Sequence, residues 1–166
     1  RPLKVSTAPP LVDLALGRGY SCGLTAGGEA WCWGENARGQ LGDGTRVPRS
    51  VPAPVSGGHR FARLAADRDR ACGLDLEGRL LCWGRDGSDF GNGGGERETD
   101  VPLLAAGDLT FSEIEMGLNS QCGVQASGLT WCWGANLYGA LGDGRSSREA
   151  VTTPVRVVRH PVRGGG

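Results

Sequence analysis

The sequence contains one methionine and two histidines, and it has no surplus charge of either sign: 18 Lys and Arg residues cancel 18 Asp and Glu residues. A balanced chain lacks the cationic excess that holds nucleic acid or an anionic membrane surface, so neither is an expected partner. Apolar runs last only a few residues, too short for a membrane-spanning helix, and no charged-then-apolar signal segment stands at the start, so membrane insertion is not expected. Good helix formers are sparse between the 30 glycines, which argues against a helical bundle. Against these scarcities stand six cysteines and five tryptophans among 166 residues, a length that suits one domain or a stack of small repeated units.

The cysteines reveal a repeat. Cys22, Cys72 and Cys122 lie 50 residues apart, as do Cys32, Cys82 and Cys132, then Trp33, Trp83 and Trp133, then Gly34, Gly84 and Gly134. Even Pro2, Pro52 and Pro102 keep the interval. The chain therefore divides into units 1–50, 51–100 and 101–150, with 151–166 adding an extra edge strand and a basic tail that ends in glycines. Within a unit the apolar period is two. Short strands are expected at 11–16, 61–66 and 111–116, and a hairpin at 20–25 and 30–34 and its equivalents, broken at Ala26-Gly27-Gly28. A fourth strand is expected at 51–55, 101–105 and 151–158, where frequent proline suits an outer edge. Four short strands per 50 residues is the rhythm of a propeller blade.

The cysteine pairs are ten residues apart. Zinc knuckles use spacings of about two to four, and no second pair or histidine completes four ligands in any unit, so no metal is expected. No Cys-x-x-Cys redox motif occurs. With a three-residue loop at 26–28, residues whose numbers sum to 54 face each other, which sets Cys22 opposite Cys32 on the same side of the ribbon. This count predicts disulfides Cys22–Cys32, Cys72–Cys82 and Cys122–Cys132, and with them an oxidising location: extracellular, periplasmic or at the cell surface. The competing reading is six reduced, buried cysteines acting as small apolar side chains.

The most specific strings follow the second hairpin strand. Unit one reads Trp31-Cys32-Trp33-Gly34-Glu35-Asn36 and then Gly39-Gln40-Leu41-Gly42-Asp43-Gly44; unit three reads Trp131-Cys132-Trp133-Gly134-Ala135-Asn136 and then Gly139-Ala140-Leu141-Gly142-Asp143-Gly144. These strings resemble the repeat of the regulator of chromosome condensation family, in its cysteine-bearing bacterial form, over essentially the whole chain. The resemblance implies an all-β fold of propeller blades. Trp33, Trp83 and Trp133 are expected as apolar plates between blades, each burying roughly 150–250 Å², and Gly34, Gly84 and Gly134 belong to the same structural core. Asp43 and Asp143 are read as turn residues, since no unit gathers the alternating acids of a calcium loop. Unit two departs from the motif with Leu81, Asp86 and Ser88-Asp89-Phe90-Gly91-Asn92-Gly93, one residue shorter before Phe90, and Gly94-Gly95 restore the register. The histidine that commonly precedes the first repeat cysteine is replaced by Tyr20, Arg70 and Ser120.

Propellers of this family usually close a ring of about seven blades. About three are present here, which gives an incomplete, open propeller with uncovered faces and strand edges. The expected function is a non-enzymatic, extracellular protein-binding or scaffolding module, a fragment or subunit of a larger assembly, whose partner is another protein or further copies of itself through open strand edges. Arg38, Arg85 and Tyr138 occupy loop positions on successive blades and are residue types enriched at binding hot spots. A propeller-type inhibitor of a secreted enzyme is the alternative. Guanine-nucleotide exchange, the activity of the family's eukaryotic founder, ranks below both, because three disulfides exclude a cytosolic or nuclear partner. No enzyme is expected, since His59 and His160 belong to no repeated constellation, and no cofactor is implied. The basic tail residues Arg156, Arg159, His160 and Arg163 read as a solvated end.

Overall fold

The computed structural model describes residues 9–86, 89–93 and 96–158. Readings that involve Pro2, Gly87-Ser88, Gly94-Gly95, Arg159, His160 and Arg163 lie outside the described residues. Twelve strands form three antiparallel sheets of four. The first sheet holds β1 (Leu11–Leu16), β2 (Tyr20–Thr25), β3 (Ala30–Gly34) and β4 (Arg49–Pro54) in that order. The second holds β5 (Phe61–Ala66), β6 (Arg70–Asp75), β7 (Arg79–Asp86) and β8 (Arg97–Thr110), and the third β9 (Glu113–Met116), β10 (Ser120–Val124), β11 (Thr130–Asn136) and β12 (Ser147–Arg156). Among the described residues no sheet closes on itself. Each sheet takes its outermost strand from across a boundary of the sequence period, so residues 151–156 are the end of β12 and pair with β11.

The hairpins follow from local chemistry. Gly28 turns the chain at φ 81°, in the left-handed region open to glycine, and its N–H reaches the Thr25 carbonyl at 2.9 Å. Thr25 N–H in turn donates to Glu29, at 2.9 Å. Antiparallel pairs alternate between hydrogen-bonded and closer non-hydrogen-bonded sites, so counting back from the 25/29 pair puts Cys22 and Cys32 at a closer site. The register pairs Tyr20 with Gly34 and Cys22 with Cys32, the sum of 54 that the loop count gives. The three cysteine pairs are disulfide-bonded, with Cα atoms 4.0 to 4.1 Å apart. Pro52 and Pro54 fall on β4, an edge strand, where a missing N–H leaves no gap in the ladder.

Several strands differ from expectation: β4 runs Arg49–Pro54 rather than 51–55, and β12 runs Ser147–Arg156 rather than 151–158. β9 starts at Glu113 rather than 111, because Phe111 turns into the core ahead of it. β8 extends over 14 residues, and its register jumps from Leu80↔Ala105 to Arg79↔Thr110, so residues 106–109 bulge out with Ala106 at φ 58°.

The core lies between sheets. In the first seam Tyr20, Cys22, Leu24 and Cys32 of one sheet meet Phe61, Ala71, Leu81 and Trp83 of the next. In the second, Cys72, Leu74, Leu80 and Cys82 meet Phe111, Ile114 and Trp133. Period-two alternation produces this: each sheet turns its disulfide toward the following sheet and its paired tryptophan toward the preceding one.

Candidate functional site

After the third strand of each sheet the chain enters a loop anchored by one buried polar side chain. Asn36 is fully buried. Its carbonyl oxygen accepts from Leu41 N–H at 3.0 Å, while its amide donates to the Thr45 and Val47 carbonyls at 3.0 and 3.1 Å. Asn136 repeats the bond to Leu141 N–H at 3.1 Å. In the second sheet Asp86 does the same work, accepting from Phe90 N–H at 2.9 Å. That loop is one residue shorter and carries Phe90 at φ 54°, a strained backbone for a bulky residue. Asp43 closes the first loop, accepting from Thr45 N–H and Oγ1 at 3.0 and 2.7 Å and pairing with Arg49. Burial alone would raise its carboxyl, but the Thr45 bonds and the Arg49 guanidinium outweigh it and hold the group below the usual carboxylate range.

The anchors fix where the loop tips stand. Arg38 pairs across the seam with Glu98 at 3.4 Å, and Arg46 joins the same carboxylate. Arg85 pairs with Glu96. Both arginines named from sequence therefore already hold an internal partner. The third tip is open: Leu137 is half exposed and Tyr138 is 92% exposed.

A second polar feature was hidden in the sequence. Arg70 is buried between Asp67 and Asp86, with nitrogen–oxygen distances of 2.6 Å to each. Gln121, its amide oxygen turned inward, accepts from Trp133 Nε1 and from Arg70 at 3.3 Å. The Tyr20 hydroxyl donates to the Arg70 carbonyl. Burial raises the Tyr20 phenol well above its ordinary range and also lifts the Asp67 carboxyl, Arg70 only partly offsetting the latter. Arg70 and Asp86 are two of the residues by which unit two departs from units one and three. They compensate each other, and their occurring together in one unit is the signal sequence reading could have used. A charged depression of about 460 Å³ opens beside them, lined by Arg68, Asp69, Arg85, Glu96 and Asn119 among others. Among the described residues no cluster of His, Cys, Asp and Glu is arranged to hold a metal ion.

The indoles differ from one another. Trp83 and Trp133 are fully buried, and Trp83 Nε1 donates to the Gln40 carbonyl of the preceding sheet at 3.0 Å. Trp33, the third of the expected plates, is partly exposed, because among the described residues no sheet packs on that face of its own. Gly34, Gly84 and Gly134 all sit at positive φ, where the chain passes close behind the backbone of the neighbouring strand.

Sheets of four strands, stacked face to face in an open arc with their loops at one end, define a partial β-propeller. Residues 11–40 and 27–73 match two family models, each described as a regulator of chromosome condensation (RCC1) repeat. Together these matches span residues 11–73, the first unit and part of the second, and over that stretch the chain resembles RCC1 repeats. Human WBSCR16 is similar in structure, with a TM-score of 0.72 and 24% identity over 88% of this chain and 37% of its own. Prp20p of Saccharomyces cerevisiae gives 0.72 and 20% over 90% of this chain and 38% of its own. The ectodomain of the Physcomitrella patens receptor kinase CR4 gives 0.53 and 27% over 77% of this chain and 30% of its own. This chain thus spans well under half the length of these structures. No curated protein matches it in sequence. No helix among the described residues is long and apolar enough to cross a membrane.

Proposed function

We propose that the chain is a non-enzymatic protein-binding module that works outside the cytosol and presents its third loop tip to a partner. Propellers of the RCC1 type are generally binding or exchange-factor modules. Among the structural neighbours, Prp20p is described by its binding to Gsp1p and histones, and yeast RCC1 is seen bound to Kap60. The carrying observation is Tyr138: a nearly naked aromatic, of a residue type enriched at binding hot spots, on a loop anchored by Asn136. Three disulfides support an oxidising location, and the CR4 neighbour is itself an ectodomain. The test is capture of partners from a secreted or cell-surface fraction, then titration of the purified partner against the chain and against Tyr138→Ala. A loss in affinity of about tenfold or more is the expected result. Binding unchanged by Tyr138→Ala would move the site elsewhere.

A further inference from the structure

The second and third sheets do not meet at the loop end as the first and second do. In the first seam Arg18 N–H donates to the Arg68 carbonyl at 3.0 Å, and the Tyr20 hydroxyl crosses to the Arg70 carbonyl. One repeat later, among the described residues, no such bond joins Arg68 to Leu118. Arg70, in the place of Tyr20, turns its guanidinium back to Asp67 and Asp86 of its own sheet. The depression of about 460 Å³ lies here, between two sheets that are both present in the chain. Pockets of roughly 300–1,000 Å³ are of the size that encloses a whole ligand group.

Charge is concentrated at this place as in no other repeat. Where unit two has Asp67 and Asp69, unit one has Gly17 and Gly19, and unit three has Gly117 and Asn119. Arg85 and Glu96 neutralise each other at the rim, Arg68 offsets Asp69, and Arg70 stands between two carboxylates, which leaves one negative charge in excess. Burial above all, and then the charges of Asp86 and Asp69, lift the Asp67 carboxyl against the pull of Arg70. Among the described residues the Asp69 carboxylate accepts no hydrogen bond and forms no ion pair. Arg70 is 3% exposed, and its Nε–H is buried without an acceptor. Buried donors are nearly always paired, so the polar complement of the site is incomplete on the chain's own groups. The facing wall, from the third sheet, is of another kind: Leu118 is 67% exposed, Ala135 and Ala150 continue it, and Asn119 is its one polar side chain.

We propose that this depression receives a lysine or arginine residue of a protein partner. The cationic head meets Asp69, the aliphatic stem lies along Leu118 and Ala135, and a carbonyl of the same segment is the acceptor that Arg70 Nε lacks. This rests on the reading of the chain as a protein-binding module and adds the residue type that the partner offers.

Blocked single residues test it without the partner. N-acetyl-arginine amide and N-acetyl-lysine amide, with N-acetyl-norleucine amide as the uncharged control, are titrated at millimolar concentration into the isotope-labelled chain and followed by nuclear magnetic resonance. The expected result is saturable shifts of the Asp69, Asn119 and Ala135 amide signals with both cations and none with the norleucine compound. Asp69→Asn should weaken binding by about tenfold. Ala150→Tyr, which narrows the depression from the other wall and keeps every carboxylate, should weaken it too. Tyr138→Ala should leave both titrations unchanged, so the loop-tip reading and this one can fail separately. No saturable shift with either cation overturns the proposal. So do equal shifts with the norleucine compound, binding undiminished in either pocket variant, or binding that depends on Tyr138.

Discussion

Trp83 and Trp33 hold the same place in their repeats, each preceded by a disulfide cysteine and followed by a glycine, yet one is sealed and the other is not. Trp83 has a glycine-lined loop of the previous sheet laid across it and a carbonyl to receive its N–H. Trp33 has the same strand beneath it, and no sheet of the described residues lies in front. Burial in a stacked repeat is therefore a property of the neighbour, since each unit supplies only half of every seam.

The largest expected effect comes from emptying a sealed seat. Trp83→Ala should cost about 3–5 kcal/mol in urea unfolding, through lost burial and the cavity left behind. Trp33→Ala, measured in dilute protein, should cost under about 1 kcal/mol. Equal losses would erase the distinction between the two sites. Next in size is the buried ion cluster. Asp86→Ala leaves Arg70 with a single carboxylate partner, Asp67, and removes the bond to Phe90 N–H, for a loss of about 3 kcal/mol. Replacing both positions with the residues of unit one, Arg70→Tyr with Asp86→Asn, should recover most of it in the same assay, because Tyr20 and Asn36 already coexist in the first sheet.

Replacing Cys72 and Cys82 together by serine should lower stability by about 2–3 kcal/mol, the value for so short a loop. The same change at Cys122 and Cys132, whose bond faces the unoccupied end of the arc, should cost less because its surroundings are less tightly packed. The smallest effect is on acid stability. The Asp43 carboxyl is lowered in the fold, so its contribution is present above the ordinary carboxylate range and fades as pH falls through the folded value. Asp67 is raised, so its contribution has the opposite sign: it is present at low pH and fades as pH rises through the folded value. Asp43→Asn should flatten the acid limb of a stability-against-pH curve, and an unchanged limb would remove Asp43 from the account.

The blade was legible in the sequence because three identical spacings fixed hairpin, register and sulfur position at once, and strands alternate with period two whatever surrounds them. What surrounds them was not legible. Arg38 and Arg85 look free in sequence, but their partners, Glu98 on β8 and Glu96 just ahead of that strand, lie 60 and 11 residues away. Arg70 and Asp86 are 16 residues apart and meet because β6 and β7 pair, with Arg70 opposite Gly84. The 106–109 bulge in β8 likewise depends on how that strand meets β7, which local propensity does not encode.

Oxidative footprinting of the three equivalent indoles, read by peptide mass spectrometry at low and high protein concentration, tests the central comparison most directly. The expected result is Trp83 and Trp133 protected and Trp33 oxidised at both concentrations. Trp83 reacting as fast as Trp33 would contradict the seams.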